Sequence, residues 1–245
     1  MTPRYFTTSD GEEIPLVIET RRGLSNITIR PKTNPTREIH ISVPRWTPVS
    51  SALKFLEQKR AWTEKIFARA PKKVRISDGS TITLFGNKIL VRHDPKGRAG
   101  VYMDDERIMT DDGNAKNASS VMIVCGSPEM LERRVRDEVK KQFLAAARAE
   151  IARVPLQFRP KRLAVRDTTT RWGSCSSTGT VSFSFRLAFA PPAVMRYVIL
   201  HELAHLRHLD HSPRFWRTVA ELYGPGVERA KLWLSKNGQE LYRYF

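Results

Sequence analysis

Four of the chain's six histidines, His201, His205, His208 and His211, lie within eleven residues. His201 and His205 are four positions apart, and on a helix this spacing places both imidazoles on one face, about 6 Å apart along the axis. Glu202 then lies on the neighbouring flank, within reach of a water molecule on a metal ion held by the two imidazoles. Two neutral nitrogen ligands and a nearby base make up the H-E-x-x-H pattern of zinc hydrolases, so this segment predicts one zinc ion per chain with Glu202 as the catalytic residue.

A catalytic zinc site needs a third protein ligand and one open coordination position. His208 is about 10.5 Å from His201 along a continuous helix, whereas two nitrogens on one zinc ion are at most about 4.2 Å apart. His211 can reach the metal if the helix ends near residue 207 and the chain turns back. Ser212-Pro213, a capping residue followed by a first-turn proline, predicts that a new helix starts directly after His211. These features favour His201, His205 and His211 as the metal ligands.

Two acidic residues farther along the chain, Glu221 and Glu228, are alternative third ligands of the gluzincin kind. The ten-residue offset from His201 to His211 instead equals that of the metzincin pattern H-E-x-x-H-x-x-G-x-x-H. His208 stands where that pattern has its glycine, however, and no methionine follows the motif to form a Met-turn. The chain therefore differs from a metzincin in two features. As the third ligand, His211 is nevertheless favoured over Glu221 and Glu228.

Capping and turn signals predict the elements that must position these residues. A capping serine, a first-turn proline and an acid at Ser127-Pro128-Glu129 predict a helix that runs to about residue 154. Two β-segments, residues 162–171 and 180–186, flank a small polar loop, and Pro191-Pro192 opens the helix that carries the histidines. The order of helix, β-hairpin and helix predicts an α+β domain over residues 127–245.

The first part of the chain, residues 1–126, is predicted to be a β-rich region with one helix at about residues 52–69. Alternating or continuous apolar segments, separated by proline and glycine, indicate its strands. These strands are predicted at residues 14–18, 26–30 and 38–43, and a hairpin is predicted from residues 81–85 and 88–92 around Gly86-Asn87. Residues 94–117 lack periodicity and are predicted to be loop or short strand, and no internal repeat is visible.

A set of short motifs surrounds the histidine segment. Its members are RWGSCSS at residues 171–177, RL at 186–187, PP at 191–192, YV at 197–198, HELAHL at 201–206 and HSPRFW at 211–216. Together they resemble the YgjP-like metallopeptidase family, which is related to the SprT-like zinc proteases. The resemblance covers most of the chain and implies a zincin-type domain in which His201, His205 and His211 bind zinc and Glu202 is the catalytic base. The chain departs from the family pattern at Ser182-Phe183-Ser184-Phe185, where an asparagine and a tryptophan are expected.

Three further residues are candidates for contacting the substrate or for supporting the metal ligands. Trp172 suits either the wall of a substrate cleft or a core position. His208 can donate a hydrogen bond to the reacting carbonyl, or it can lie in solvent at the helix end, where a cation interacts favourably with the helix dipole. Tyr197 is one turn before His201 and can polarise a carbonyl, although a core role is the simpler explanation.

Composition limits the class of protein. The 245 residues contain 42 Lys+Arg against 25 Asp+Glu, a net charge of +17, and residues 151–200 alone carry eight basic and one acidic side chain. No run approaches the roughly 18 apolar residues of a membrane span, and two cysteines exclude a disulfide framework. We expect a cytoplasmic protein without a membrane partner, whose basic surface can attract nucleic acid or another polyanion.

The function predicted from these features is zinc-dependent hydrolysis of peptide bonds, in which the metal activates a water molecule and Glu202 accepts its proton. A peptide or protein is the expected substrate, and an edge strand within residues 180–186 is expected to pair with it. One alternative is a metal-dependent hydrolase of an anionic non-peptide substrate such as a nucleotide, which the basic residues near the site favour. A second alternative is a nucleic-acid-associated binding module in which zinc has no catalytic role.

Overall fold

A computed structural model of the protein describes residues 4–33, 36–104 and 120–245, and the chain forms two compact units, Met1–Lys72 and Lys73–Phe245. This division differs from the boundary near residue 127 that the sequence predicted. The reason is that Ile82 and Val91 share one hydrophobic core with Val135 and Phe143 of the following helix. Of the segment predicted as loop or short strand, residues 105–117 lie outside the described residues.

The first unit contains a four-stranded sheet and two helices in its described part. The strands are β1 (Arg4–Thr7), β2 (Glu13–Thr20), β3 (Thr28–Lys32) and β4 (Glu38–Val43), in the order β1-β2-β4-β3. The β2–β4 pair is parallel and the other two pairs are antiparallel. Ile14, Ile39 and Ile41 alternate with outward-facing residues and form the core of this unit with Leu56 and Phe67 of the helices.

The predicted single helix at residues 52–69 is two helices, α1 (Val49–Gln58) and α2 (Arg60–Arg69). Lys59 separates them, because its φ of −101° and ψ of 12° do not continue the helix. Leu53 of α1 and Trp62 of α2 are 38% and 47% exposed, so neither belongs to the core of this unit.

The second unit begins with another four-stranded sheet. Its strands are β5 (Thr81–Leu84), β6 (Asn87–Asp94), β7 (Gly100–Asp104) and β8 (Ser120–Cys125), in the order β5-β6-β8-β7. The predicted hairpin joins β5 to β6, with its turn at Phe85-Gly86, one residue before the predicted position. The strand order and the directions of pairing equal those of the first sheet, and helices follow each sheet. The chain thus contains a repeated arrangement of four strands and helix that was not visible in the sequence.

A third, smaller sheet follows the long helix α3 (Leu131–Ala152). Its strands are β9 (Arg162–Arg166), β10 (Gly173–Cys175) and β11 (Thr180–Ser184), in the order β10-β11-β9. The predicted hairpin between the segments at 162–171 and 180–186 is wrong, because β9 and β11 are parallel and the antiparallel partner of β11 is the short β10. β11 is therefore the central strand, and the edge strands are β9 and β10.

Three helices complete the second unit: α4 (Pro192–Ala204), α5 (Pro213–Tyr223) and α6 (Val227–Asn237). α4 is buried nearly all around and packs against α3, α5, α6 and the small sheet. In the described residues, no helix is long and apolar enough to cross a membrane. The architecture is mixed α+β, with several sheets and six α-helices in the described part of the chain.

Candidate metal centre

The end of α4 and the start of α5 bring the histidines together. α4 ends at Ala204, and the amides of Arg207 and His208 then bond to the carbonyl of Ala204 at 3.1 Å, which turns the chain away from the helix axis. α5 begins at Pro213, and the hydroxyl of Ser212 accepts a hydrogen bond from the amide of Phe215 at 3.5 Å. The loop between the two helices therefore returns His211 to the face of α4.

One nitrogen from each of His201, His205 and His211 lies within 4.8 Å of the other two. The Nε2 atoms of His201 and His211 are 3.2 Å apart. Two nitrogens at about 2.1 Å from a tetrahedral metal are about 3.4 Å apart, so this pair already has the spacing of two ligands. Among the described residues, the cluster includes neither His208 nor the alternative acids Glu221 and Glu228. The three imidazoles fit a divalent metal ion.

The protonation states of the histidines also suit metal binding. Burial, followed by the charges of His205 and His211, lowers the pKa of His201 to about 4. Burial likewise lowers the pKa of His205. The Nδ1 atom of His205 donates a hydrogen bond to the carbonyl oxygen of His208 at 2.8 Å, which leaves the lone pair on Nε2. Both imidazoles are therefore neutral near pH 7, the form that ligates metals.

Phe215 forms an apolar floor beneath the histidines. Its side chain is 0% exposed, and its ring stacks on His205 at 4.4 Å between centroids with an interplanar angle of 25°. The ring lies 4.9 Å from that of His201 and 4.8 Å from that of His211. From the sequence, Phe215 is only a residue of the helix that is predicted to start after His211. The signal that could have identified it is its place four residues after His211, on the first turn of a capped helix.

Glu202 is buried beside the cluster, with 7% of its surface exposed. This burial raises the pKa of its carboxyl to about 7, against the opposing effect of the Arg171 charge. A β-carbon built at Gly173 in β10 would lie 2.5 Å from Cγ and 2.7 Å from Oε1 of Glu202. Only glycine therefore allows β10 to lie this close to the carboxylate. Cys175, on the same strand, has a pKa raised by burial and by the Glu202 charge.

The three further candidates have different surroundings. Tyr197 is buried and its ring contacts His201 at 5.8 Å, and burial raises its pKa to about 12. His208 supports His205 through its backbone carbonyl. Trp172 packs against Tyr242, with ring centroids 5.0 Å apart. Trp172 is partly buried and packs against the core of the second unit.

The segment Ser182-Phe183-Ser184-Phe185, in which the sequence differs from the family pattern, contributes its two phenylalanines to the hydrophobic core. Phe183 and Phe185 are fully buried, and Phe183 contacts Phe143 of α3 edge to face at 6.3 Å. The buried phenylalanines therefore do not line a substrate cleft.

A glutamate next to a cluster of three imidazoles, one on the last turn of α4 and one on the residue that caps it, is an arrangement typical of metallopeptidases. The chain belongs to the YgjP-like family, because the family model "YgjP-like, metallopeptidase domain" matches residues 25–237. The resemblance drawn from the sequence motifs is thereby confirmed, and the match extends over parts of both compact units.

No curated protein matches the chain significantly. Among solved structures, the chain is similar to the crystal structure of the metallopeptidase zymogen of Pyrococcus abyssi abylysin, with 28% sequence identity and a TM-score of 0.32. The alignment covers 43% of this chain and 97% of that chain.

Proposed function

We propose that the protein is a zinc-dependent peptidase of the zincin type in which His201, His205 and His211 hold the metal and Glu202 is the catalytic base. The observation that carries this proposal is the 3.2 Å separation of the Nε2 atoms of His201 and His211, ten residues apart in the chain. Membership of a metallopeptidase family supports peptide bonds as the substrate.

Each residue of the proposed site has a separate role in the reaction. When bound, zinc supplies a Lewis acid that polarises the scissile carbonyl and lowers the pKa of a water molecule. The carboxylate of Glu202 accepts the proton of the attacking water and delivers it to the leaving amine nitrogen. The carbonyl of His208 orients His205 through Nδ1, and Phe215 excludes water from the protein side of the site.

The peptide substrate is proposed to pair with β10. β11, which lies within the segment 180–186 that was expected to pair with the peptide, has neighbours on both sides and cannot accept another strand. Among the described residues, β10 is an edge strand, and its Gly173 lies against Glu202. An extended peptide on the free edge of β10 therefore passes the catalytic carboxylate.

Replacing Glu202 with glutamine tests the proposed mechanism. Glutamine is nearly isosteric but cannot accept the proton, so Glu202→Gln is expected to keep one zinc per chain and to lose at least about a hundredfold in kcat. The measurement is cleavage of a peptide library, read by mass spectrometry, together with metal content. Full activity of the zinc-loaded variant would contradict the assignment of Glu202.

A further inference from the structure

A groove of about 380 Å³ adjoins the metal centre, and we call it the basic groove. One wall is the turn at residues 176–179 that follows β10, and the other is the turn after α4 that begins with the metal ligand His205. Its lining carries three cations and several hydroxyl groups and, among the described residues, no acidic side chain. The residues that matter here are Arg159, Lys161, Ser176, Thr178, His205 and Arg207.

The three cations are held from different elements. Arg159 donates hydrogen bonds to the carbonyls of Ala152 at 2.8 Å and Val154 at 3.4 Å, which fixes its guanidinium at the end of α3. The stem of Lys161 lies across Gly179, because a β-carbon at Gly179 would be 3.3 Å from the lysine Cγ and Cδ. Arg207 is exposed on the turn after α4. The positive charges of the lining thus come from three separate segments of the chain.

The turn at residues 176–179, which forms one wall of the basic groove, is held in place by its own hydrogen bonds. The hydroxyls of Ser176 and Thr178 are 2.8 Å apart, and Ser176 accepts a hydrogen bond from the amide of Thr180 at 3.1 Å. The amide of Gly179 bonds to the carbonyl of Ser176 at 3.0 Å, which closes the turn between β10 and β11. This wall is therefore a rigid continuation of the edge strand that is proposed to bind the peptide.

From these features we propose that the basic groove binds the carboxylate of an aspartate or glutamate in the peptide substrate. This inference rests on the proposed peptidase function. A peptide along the free edge of β10 reaches the turn at residues 176–179 as it passes beyond the metal, so an acidic side chain at one fixed distance from the cleaved bond enters the groove. Cations around a polar groove favour a carboxylate over its neutral amide, and partial exposure to water limits the preference to about five- to tenfold.

The first test compares peptides that differ only by glutamate or glutamine at each position near the cleaved bond. Wild type is expected to show a kcat/KM five- to tenfold higher for glutamate at one position. The double variant Lys161→Glu/Arg207→Glu should lose this preference and favour lysine there. Lys236→Glu, an exposed position on α6 outside the groove, is the control for a change of charge and should keep the wild-type preference.

A second measurement separates binding from catalysis. Glu202→Gln is mixed with a fluorescent acidic peptide and with its amide analogue, and affinities are compared by anisotropy at two salt concentrations. The acidic peptide is expected to bind five- to tenfold more tightly at low salt, with the difference reduced at high salt. In the Glu202→Gln background, Lys161→Glu/Arg207→Glu should abolish the difference, and Lys236→Glu should retain it.

Three outcomes would overturn the inference. Equal cleavage and equal binding of the glutamate and glutamine peptides would remove the role of the groove while leaving the peptidase function intact. A preference confined to phosphoserine peptides would replace the carboxylate with a phosphate group. If a single-stranded oligonucleotide displaces the acidic peptide from wild type but not from Lys161→Glu/Arg207→Glu, the groove would be assigned to nucleic acid. If the zinc-loaded wild type cleaves no peptide at all, the proposed function fails, and the binding measurement still decides whether the groove prefers acidic peptides.

Discussion

At the scale of single residues, the close approach of a strand to the catalytic carboxylate is the most demanding feature of the site. Gly173→Ala would place a methyl group 2.5 Å from Cγ of Glu202, so the carboxylate must move. A displacement of about 1 Å at a catalytic group costs roughly a hundredfold in rate, so we expect a loss of this order in kcat with zinc content unchanged.

The matched control for this substitution is Ser174→Ala, the next residue of β10. It changes the same strand without adding an atom near Glu202, and it should retain activity within about threefold of wild type. Activity of Gly173→Ala equal to that of Ser174→Ala would show that the strand does not constrain the carboxylate.

Most of the proposed metal site could be derived from residue spacing alone. His201 and His205 follow from the helical period, and His211 follows from the reach of two nitrogens on one ion and from the cap at Ser212. The role of Gly173 could not be derived in this way. A glycine in a polar loop has many explanations, and its contact with Glu202 depends on a strand and a helix that are 29 positions apart.

At the scale of elements, α5 supports the metal centre through one buried ring. Phe215→Ala would remove that ring from beneath three imidazoles and leave a cavity, so we expect a loss of about 3–5 kcal/mol in the free energy of unfolding. We also expect weaker zinc binding, because the ring that stacks on His205 would be gone.

Urea denaturation and competition with a zinc chelator measure the two effects. Arg217→Ala, an exposed position on the same helix, is the control and should change stability by less than about 0.5 kcal/mol. Unchanged stability and unchanged zinc affinity in Phe215→Ala would contradict the role given to this helix.

The elements differ in how well the sequence predicts them. α3 and the start of α4 are marked by prolines and apolar periodicity, and the strand β4 was predicted with its observed bounds. β10 has only three residues, all small or polar, and strand pairing over such a short stretch depends on β11 beside it. The break at Lys59 was missed because nothing at that position, neither glycine nor proline, signals the end of a helix.

At the scale of the whole molecule, the candidate metal centre belongs to one compact unit. All its residues and the hydrophobic core around them lie within Lys73–Phe245, and residues 1–72 have a separate core. A fragment of residues 73–245 is therefore expected to fold and to bind one zinc ion, as judged by circular dichroism and elemental analysis.

The same fragment carrying His211→Ala is the reference for a folded chain with an incomplete site. A fragment of residues 73–245 that folds but binds no more zinc than this reference would show that residues 1–72 are required for the metal centre.

The repeated strand order is a whole-molecule feature that the sequence did not reveal. The two four-stranded sheets have the same order, the same pairing directions and corresponding strands of equal length, while the buried positions within the long strands β2 and β6 differ. Sheet order depends on contacts between distant strands, so it is set by the core of each unit rather than by local periodicity. For the same reason, the boundary predicted near residue 127 followed a local change of pattern and missed the sheet that shares its core with α3.

The central claim is that three imidazoles form one metal site, and metal content measures it most directly. Wild type, His211→Ala and His208→Ala are purified without chelator or nickel affinity resin, supplied with zinc, and assayed by elemental analysis. We predict about one zinc per chain in wild type, loss of zinc in His211→Ala, and retention in His208→Ala, because the carbonyl that bonds to His205 remains in that variant. Zinc retained in His211→Ala, or absent from reconstituted wild type, would contradict the account.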